Sequence, residues 1–267
     1  MKRLKALTYY GYSLLEMLIG FKNWPTILPL FLCRSQTGVR KLILRKPKVE
    51  ILVRNAMDVW SVKETFLDQF YTRYGVSAQD GWTVIDIGAG VGDYSLYVSH
   101  GNQALTVYAF EPYQESYELL MRNLVNNDIE NVRAFQQAVW SKAGKLQLDF
   151  STGEPLQISS VEGIEQDGSS EKLFVDAMTL QELFNIELLD KVNLLKMDCE
   201  GAEYEILFNA SPALLRKIER IIMEYHDLDE SYHHTALMAF LEAQGYVVER
   251  YSNFVHKEIG YLFAFRP

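Results

Sequence analysis

Cysteine is nearly absent from this chain: Cys33 and Cys199 are the two in 267 residues, and they stand far apart. No disulfide framework or structural zinc site can be built from such a pair, so a reducing, cytoplasmic setting is the expectation. Long apolar runs are missing as well. Near the N-terminus ten uncharged residues separate Lys5 from Glu16, and eleven separate Lys22 from Arg34, with Pro25 and Pro29 among them. A spanning helix needs about 20 apolar residues, which neither stretch reaches. Tyr9, Tyr10, Gly11, Tyr12 and Ser13 interrupt the apolar segment behind the basic start, and no small-x-small cleavage site follows. A secretory leader is therefore not expected. Acid is scarce in residues 1–48, where ten basic side chains face Glu16 alone, a local charge of +9. The whole chain carries −9, so the remainder holds −18. Such an acidic body excludes broad nucleic-acid binding, because phosphates need a basic face.

What is present reads as one catalytic domain with an extension. Residues 1–40 form a basic, apolar, helical arm. Residues 41–80 hold a hairpin and a helix leading into the core, and residues 81–267 are the catalytic domain. Leu14, Leu15, Leu18 and Ile19 recur at helical spacing, and that face either packs on the body or lies on a membrane surface. Lys41–Arg45 and Val49–Val53 read as paired strands around Lys46-Pro47-Lys48. From residue 82, strand and helix alternate. Apolar strands are expected at 84–87, 105–110, 132–135, 192–197 and 221–223, with a helix face through Tyr117, Leu120, Met121 and Leu124. The last two strands, 246–248 and 260–265, lie close enough in sequence to be antiparallel. The expected fold class is α/β: a doubly wound, mostly parallel Rossmann-like sheet with its final strand antiparallel. A hairpin is expected around Lys142-Ala143-Gly144-Lys145, and residues 151–170 read as a long loop or a substrate lid. His233 and His234 read as solvated.

Three segments carry chemistry. The first is Asp86-Ile87-Gly88-Ala89-Gly90-Val91-Gly92-Asp93 at a strand end. Glycines there allow a tight turn and close approach of a ligand to the main chain. The spacing is G-x-G-x-G, not the dinucleotide G-x-G-x-x-G. Asp86 would also repel a pyrophosphate at the following helix N-terminus. A cationic ligand suits that acid better, and S-adenosylmethionine carries both an ammonium and a sulfonium. The second segment is Phe110-Glu111-Pro112, 25 residues beyond Asp86, where a carboxylate can accept both hydroxyls of a ribose and Pro112 fixes the exit from the strand. The third is Lys196-Met197-Asp198-Cys199-Glu200-Gly201-Ala202-Glu203, which sets three carboxylates at a strand tip. Something positive must sit among them: a substrate amine, a metal or Lys196.

Together these segments, in this order, resemble the FkbM family of methyltransferases, and the likeness spans about residues 50–265. That resemblance implies a seven-strand class I methyltransferase sheet with S-adenosylmethionine over the strand tips. It implies that Asp86 and the Gly88, Ala89, Gly90 and Gly92 loop hold the methionine part, and that Glu111 holds the ribose. Gln137 and Ala138 would lie beside the adenine. Members typically methylate hydroxyl groups of macrolides, sugars and glycans, so a small-molecule or glycan acceptor with a free hydroxyl is the expected partner.

A hydroxyl attacks a sulfonium carbon well only as its proton leaves, so a nearby base is needed. Asp198, Glu200 and His226 are the candidates, His226 for its intrinsic pKa and Asp198 for its place at a central strand tip. No metal is expected, although Asp198, Glu200 and Glu224 are oxygen donors of the right kind. The competing readings are a non-catalytic cofactor-binding scaffold on the same fold and an NAD-dependent oxidoreductase. The intact glycine loop with Glu111 argues against the first, and the glycine spacing against the second.

Overall fold

The computed structural model describes residues 2–32, 38–149, 156–160, 173–253 and 255–267. The chain opens with helix α1 (Lys2–Gly20) and the short α2 (Leu28–Leu32), followed by the hairpin strands β1 (Arg40–Ile43) and β2 (Glu50–Val53). Helix α3 (Ala56–Lys63), capped by the Asn55 side chain on the Asp58 amide, widens into a π-turn over Glu64–Asp68 before α4 (Phe70–Arg73). Strand–helix alternation then begins with β3 (Thr83–Ile87), α5 (Asp93–Ser99), β4 (Thr106–Phe110), α6 (Gln114–Asn126) and β5 (Val132–Phe135). After an excursion through β6 (Ala138–Val139), β7 (Gly144–Asp149), β8 (Leu156–Ser160) and β9 (Leu173–Met178), it resumes with α7 (Leu180–Ile186) and β10 (Leu194–Met197). The chain ends with α8 (Ala202–Phe208), α9 (Pro212–Leu215), β11 (Arg220–His226), α10 (His234–Ala243), β12 (Val247–Ser252) and β13 (Ile259–Phe265).

The main sheet has seven strands in the order β12-β13-β11-β10-β3-β4-β5. β13 runs antiparallel to both its neighbours and the remaining pairs are parallel, as the doubly wound reading expects. Each central strand serves two cores because successive side chains point to opposite faces. Val84, Leu194 and Ile222 join one core with Met17 of α1, Phe21 just beyond it, Val62 of α3 and Leu120 of α6. Ile85, Leu195 and Ile221 join the other with Leu183 of α7, Leu207 of α8 and Leu241 of α10. The N-terminal extension is therefore stitched into the core beneath one face of the sheet.

Three expectations need correction. The segments flanking residues 142–145 do not pair with each other, because β9 lies between them in a second sheet of order β6-β9-β7-β8. β6 offers only two residues, too little for a hairpin arm, whereas β9 brings a longer strand whose Val175 and Ala177 are buried. Of the expected loop or lid at 151–170, residues 156–160 are β8, paired antiparallel to β7; the rest lies outside the described residues. His234 is not solvated either. It is 9% exposed, and Asp227 accepts both its backbone N–H at 2.6 Å and the Nδ1 contact at 2.8 Å.

Candidate functional site

The carboxyl ends of β3, β4, β10 and β11 open onto one cavity of about 970 Å³. Open α/β sheets bind ligands at such strand ends, and the volume suits a cofactor together with an acceptor. Gly88, Gly90, Glu111, Pro112, Asp198, Glu200 and His226 line it. Asp86, Ala89, Gly92, Gln137 and Ala138 do not reach its wall. Ala138 is buried in the core beside β9, and Gln137 precedes it one step from the sheet edge.

The three loop glycines answer different constraints. A Cβ on Gly88 would sit 1.8 Å from the Asp198 carbonyl oxygen, so side-chain-free backbone is what lets the tips of β3 and β10 close on one another. Gly92, at φ +86°, starts α5 against Leu120 of α6. Gly90 has φ +54° and nothing within 4 Å of the position a Cβ would take, on a segment that lines the cavity. That open cradle beside main chain is where a ligand can approach.

Asp86 is fully buried and already partnered. Its Oδ1 lies 3.0 Å from Lys196 Nζ, and its Oδ2 accepts from Ser95 Oγ at 2.7 Å. Lys196 also donates to the Gly88 carbonyl at 2.9 Å. Burial works against the Lys196 ammonium, but Asp86, Asp198 and Asp93 outweigh it and raise its pKa. The charge argument from Asp86 is thereby corrected: Lys196 supplies the cation, and Asp86 braces the glycine loop from behind. One charged residue inside the otherwise apolar Leu194–Met197 strand is the signal that could have shown this, since a buried lysine requires a counter-ion.

Glu111 ends β4 with its Oε2 accepting the Gly90 N–H at 2.8 Å and its Oε1 accepting the Tyr113 N–H at 2.8 Å. Each oxygen keeps a further lone pair, which is the capacity a ribose diol needs. Burial pushes this carboxyl up to about 7, against the pull of those two amides. With Gly90 open beside it, this wall fits S-adenosylmethionine.

The opposite wall holds an excess of acid. Tyr71 donates to Asp198 Oδ2 at 2.7 Å. Glu200 holds φ +53°, a left-handed conformation that a non-glycine residue adopts only when its surroundings enforce it. His226 stands between two carboxylates, Nε2 at 3.4 Å from Glu200 and Nδ1 at 3.4 Å from Glu203. Burial alone would lower the His226 imidazolium, yet Glu203, Glu200 and Glu224 carry it up to about 10. Burial raises Glu224 well above the carboxylate range, with Asp198 and Glu64 adding to the effect. Glu64 is raised to about 8, first by burial; its bond from Trp60 Nε1 at 2.8 Å opposes this, and Asp198 reinforces it. One ligand atom each from Asp198, Glu200 and His226 lie within 4.8 Å of one another, so this donor set can also hold a divalent cation. Cys199 is buried with its thiol raised well above its ordinary value by burial, which removes it as a nucleophile.

Glu64, Tyr71 and Trp60 have no counterpart in the sequence reading. They come from the α3–α4 region upstream of β3, carried to the cavity by the π-turn, and no local motif marks them.

The methyltransferase FkbM domain model matches residues 86–248 of the chain. Over 216 residues the chain is 25% identical to the 31-O-demethyl-FK506 methyltransferase FkbM of Streptomyces tacrolimicus, covering 70% of this chain and 80% of that one. It is 22% identical over 175 residues to the hexuronic acid methyltransferase AglP of Haloferax volcanii, covering 65% and 69% respectively. The solved structure of methyltransferase FkbM from Methylobacillus flagellatus KT shares the fold, with a TM-score of 0.50 at 14% identity over 74% of this chain and 47% of that one.

Proposed function

The chain belongs to the FkbM family of methyltransferases, with S-adenosylmethionine as its cofactor, and from that premise we propose that it methylates a hydroxyl oxygen on a sugar, glycan or related natural product. The observation that carries the reading is the division of the cavity. One wall holds Gly90 and Glu111, which we assign to the cofactor, and the other holds Asp198, Glu200 and His226, which we assign to the acceptor. The names of two relatives support the acceptor class, one specifying 31-O-demethyl-FK506 and the other hexuronic acid.

When bound, the cofactor supplies an activated methyl carbon on a sulfonium, which departs as a neutral thioether. The chain's own task is alignment and removal of one proton. Glu111 accepts ribose hydroxyls while Lys196 and Asp86 keep the loop beneath Gly90 in place. Asp198, oriented by the Tyr71 hydroxyl, points an acceptor oxygen through its remaining lone pairs. His226 holds its proton in the unliganded protein, since the surrounding carboxylates stabilise the imidazolium. A cation entering the same cavity would disfavour that second positive charge and favour release of the His226 proton to solvent, leaving Nε2 free to act as a base. Nε2 of His226 would then be the site that takes the proton leaving the acceptor hydroxyl as that oxygen is methylated.

Parallel calorimetric titrations with S-adenosylmethionine, its demethylated product and NAD test the cofactor side. Binding of the first two, abolished by Glu111→Ala, is expected; binding of NAD alone overturns the reading. Methyl-labelled cofactor with hexuronic acid and hexose glycosides tests the acceptor side. An O-methyl product is expected, and label on nitrogen or carbon overturns it.

A further inference from the structure

Helix α1 is amphipathic in the reverse of the usual sense. Two polar residues of its C-terminal half face the protein: Ser13 Oγ accepts from Lys63 Nζ at 3.0 Å, and Glu16 lies 3.2 Å from the same nitrogen. Lys63 is fully buried and also pairs with Asp68 at 2.6 Å. Met17 and Phe21 complete the inward side. The outward side consists of Tyr12, Leu14, Leu15, Leu18 and Ile19, with Leu14 and Leu15 51% exposed and Ile19 65% exposed. A surface helix normally turns such a stripe toward the core. Here the core is already satisfied by the polar side, and a contiguous apolar face is left uncovered. Patches of this kind mark interaction sites.

Charge identifies what covers it. Glu16 is the single acid among residues 1–48, and it is turned inward onto Lys63. The sequence puts Lys2, Arg3 and Lys5 in the first turn of α1. At its other end Lys22 donates its amide to Ile43, and Arg45 donates its amide to Gly20; the side chains of Lys22, Arg45 and Lys46 are exposed. An apolar helix face with cations at both ends matches an anionic lipid surface, headgroups at the ends and acyl chains beneath the leucines. A second copy of the chain fits worse, because a two-fold pairing through this face would set two arms of charge +9 against each other. No described helix is long and apolar enough to cross a membrane, so the helix would lie in the surface.

We infer that α1 docks the protein on anionic membranes through Leu14, Leu15, Leu18 and Ile19. The dock adjoins the cavity: the Tyr9 and Tyr10 rings contact Trp60 at 6.0 and 5.8 Å between centroids, and Trp60 lines the cavity and bonds to Glu64. An acceptor carried on a lipid would meet the cavity at the membrane plane. The docking stands independently of the methyl-transfer reading, and its test does not use turnover.

The full chain is sedimented with phosphatidylcholine vesicles and with phosphatidylcholine–phosphatidylglycerol vesicles. Binding to the anionic vesicles alone is expected, weakening as salt is raised. Leu15→Ser with Ile19→Ser weakens it on the order of a hundredfold. Lys22→Gln with Arg45→Gln and Lys46→Gln does so to a similar extent at low salt. Both variants alter exposed side chains, so their melting temperatures stay at the parent value. Equal sedimentation with and without anionic vesicles overturns the inference. So does a dimer in sedimentation velocity that the serine variant converts to monomer while the parent ignores vesicles.

Discussion

The two walls of the cavity differ in how their charges are settled. On the β3–β4 side the buried carboxylates have partners in place, Asp86 with Lys196 and Ser95, Glu111 with two backbone amides, although burial still raises Glu111 to about 7. On the β10–β11 side Asp198, Glu200, Glu203 and Glu224 crowd around a single histidine, and burial raises Glu224 and the neighbouring Glu64. The first wall meets a ligand with its carboxylates already hydrogen-bonded. The second gathers negative charge that a positive ligand would relieve, the setting in which His226 is proposed to act as a base.

The sharpest way to break this comparison is on the settled side. Asp86→Asn removes the nearest counter-charge of the buried Lys196 ammonium, and unfolding free energy should fall by about 3–5 kcal/mol. Denaturant titration measures it, and adding Lys196→Met should restore part of the loss. If the single variant were as stable as the parent, the two walls would not differ as described. On the acceptor side, His226→Asn should lower kcat by about a hundredfold to ten-thousandfold while leaving calorimetric affinity for S-adenosylmethionine near its parent value. A fall in affinity with kcat intact would move His226 to the cofactor wall.

The pH dependence of stability follows from the same groups. Glu64 rises to about 8, Glu111 to about 7 and His226 to about 10 in the fold. All three lie above their unfolded values, so the folded state binds the extra protons. Their contribution is fully present below the unfolded pKa of each group and is lost as pH rises through the folded one. The melting temperature of the unliganded protein should therefore fall from pH 5 toward pH 9, each group contributing a slope of at most about 1.4 kcal/mol per pH unit. Glu64→Gln should flatten that slope; an unchanged slope would mean the acid wall is not under tension. The smallest effect is expected at Gly90→Ala, where space is open and the left-handed backbone costs about 1–2 kcal/mol. Its affinity for S-adenosylmethionine should drop more than its stability, and the reverse would show that the open cradle is structural.

Much of this was legible along the chain. The apolar strands at Thr83–Ile87 and Leu194–Met197, the glycine loop and the acid after β4 are local patterns, written in a few consecutive residues. The β9 insertion between β6 and β7 was not, since pairing across some thirty residues leaves no local trace. The same holds for the direction of α1. Leu14, Leu15, Leu18 and Ile19 announce an apolar stripe, but the stripe faces outward because Lys63 claims Ser13 and Glu16 on the other side.

The sequence by itself determined the fold class, the glycine-rich loop and the candidate acids at the strand tips, because each depends on spacing within a single strand–turn–helix unit. Only the tertiary structure decided what those residues face. Lys196 pairs most closely with Asp86 of a neighbouring strand, Gly88 meets the Asp198 carbonyl, and Glu64, Tyr71 and Trp60 join a cavity whose other walls lie far along the chain. A buried charge takes its pKa and its role from neighbours in space, and those neighbours are set by packing between elements rather than by the order of residues within them.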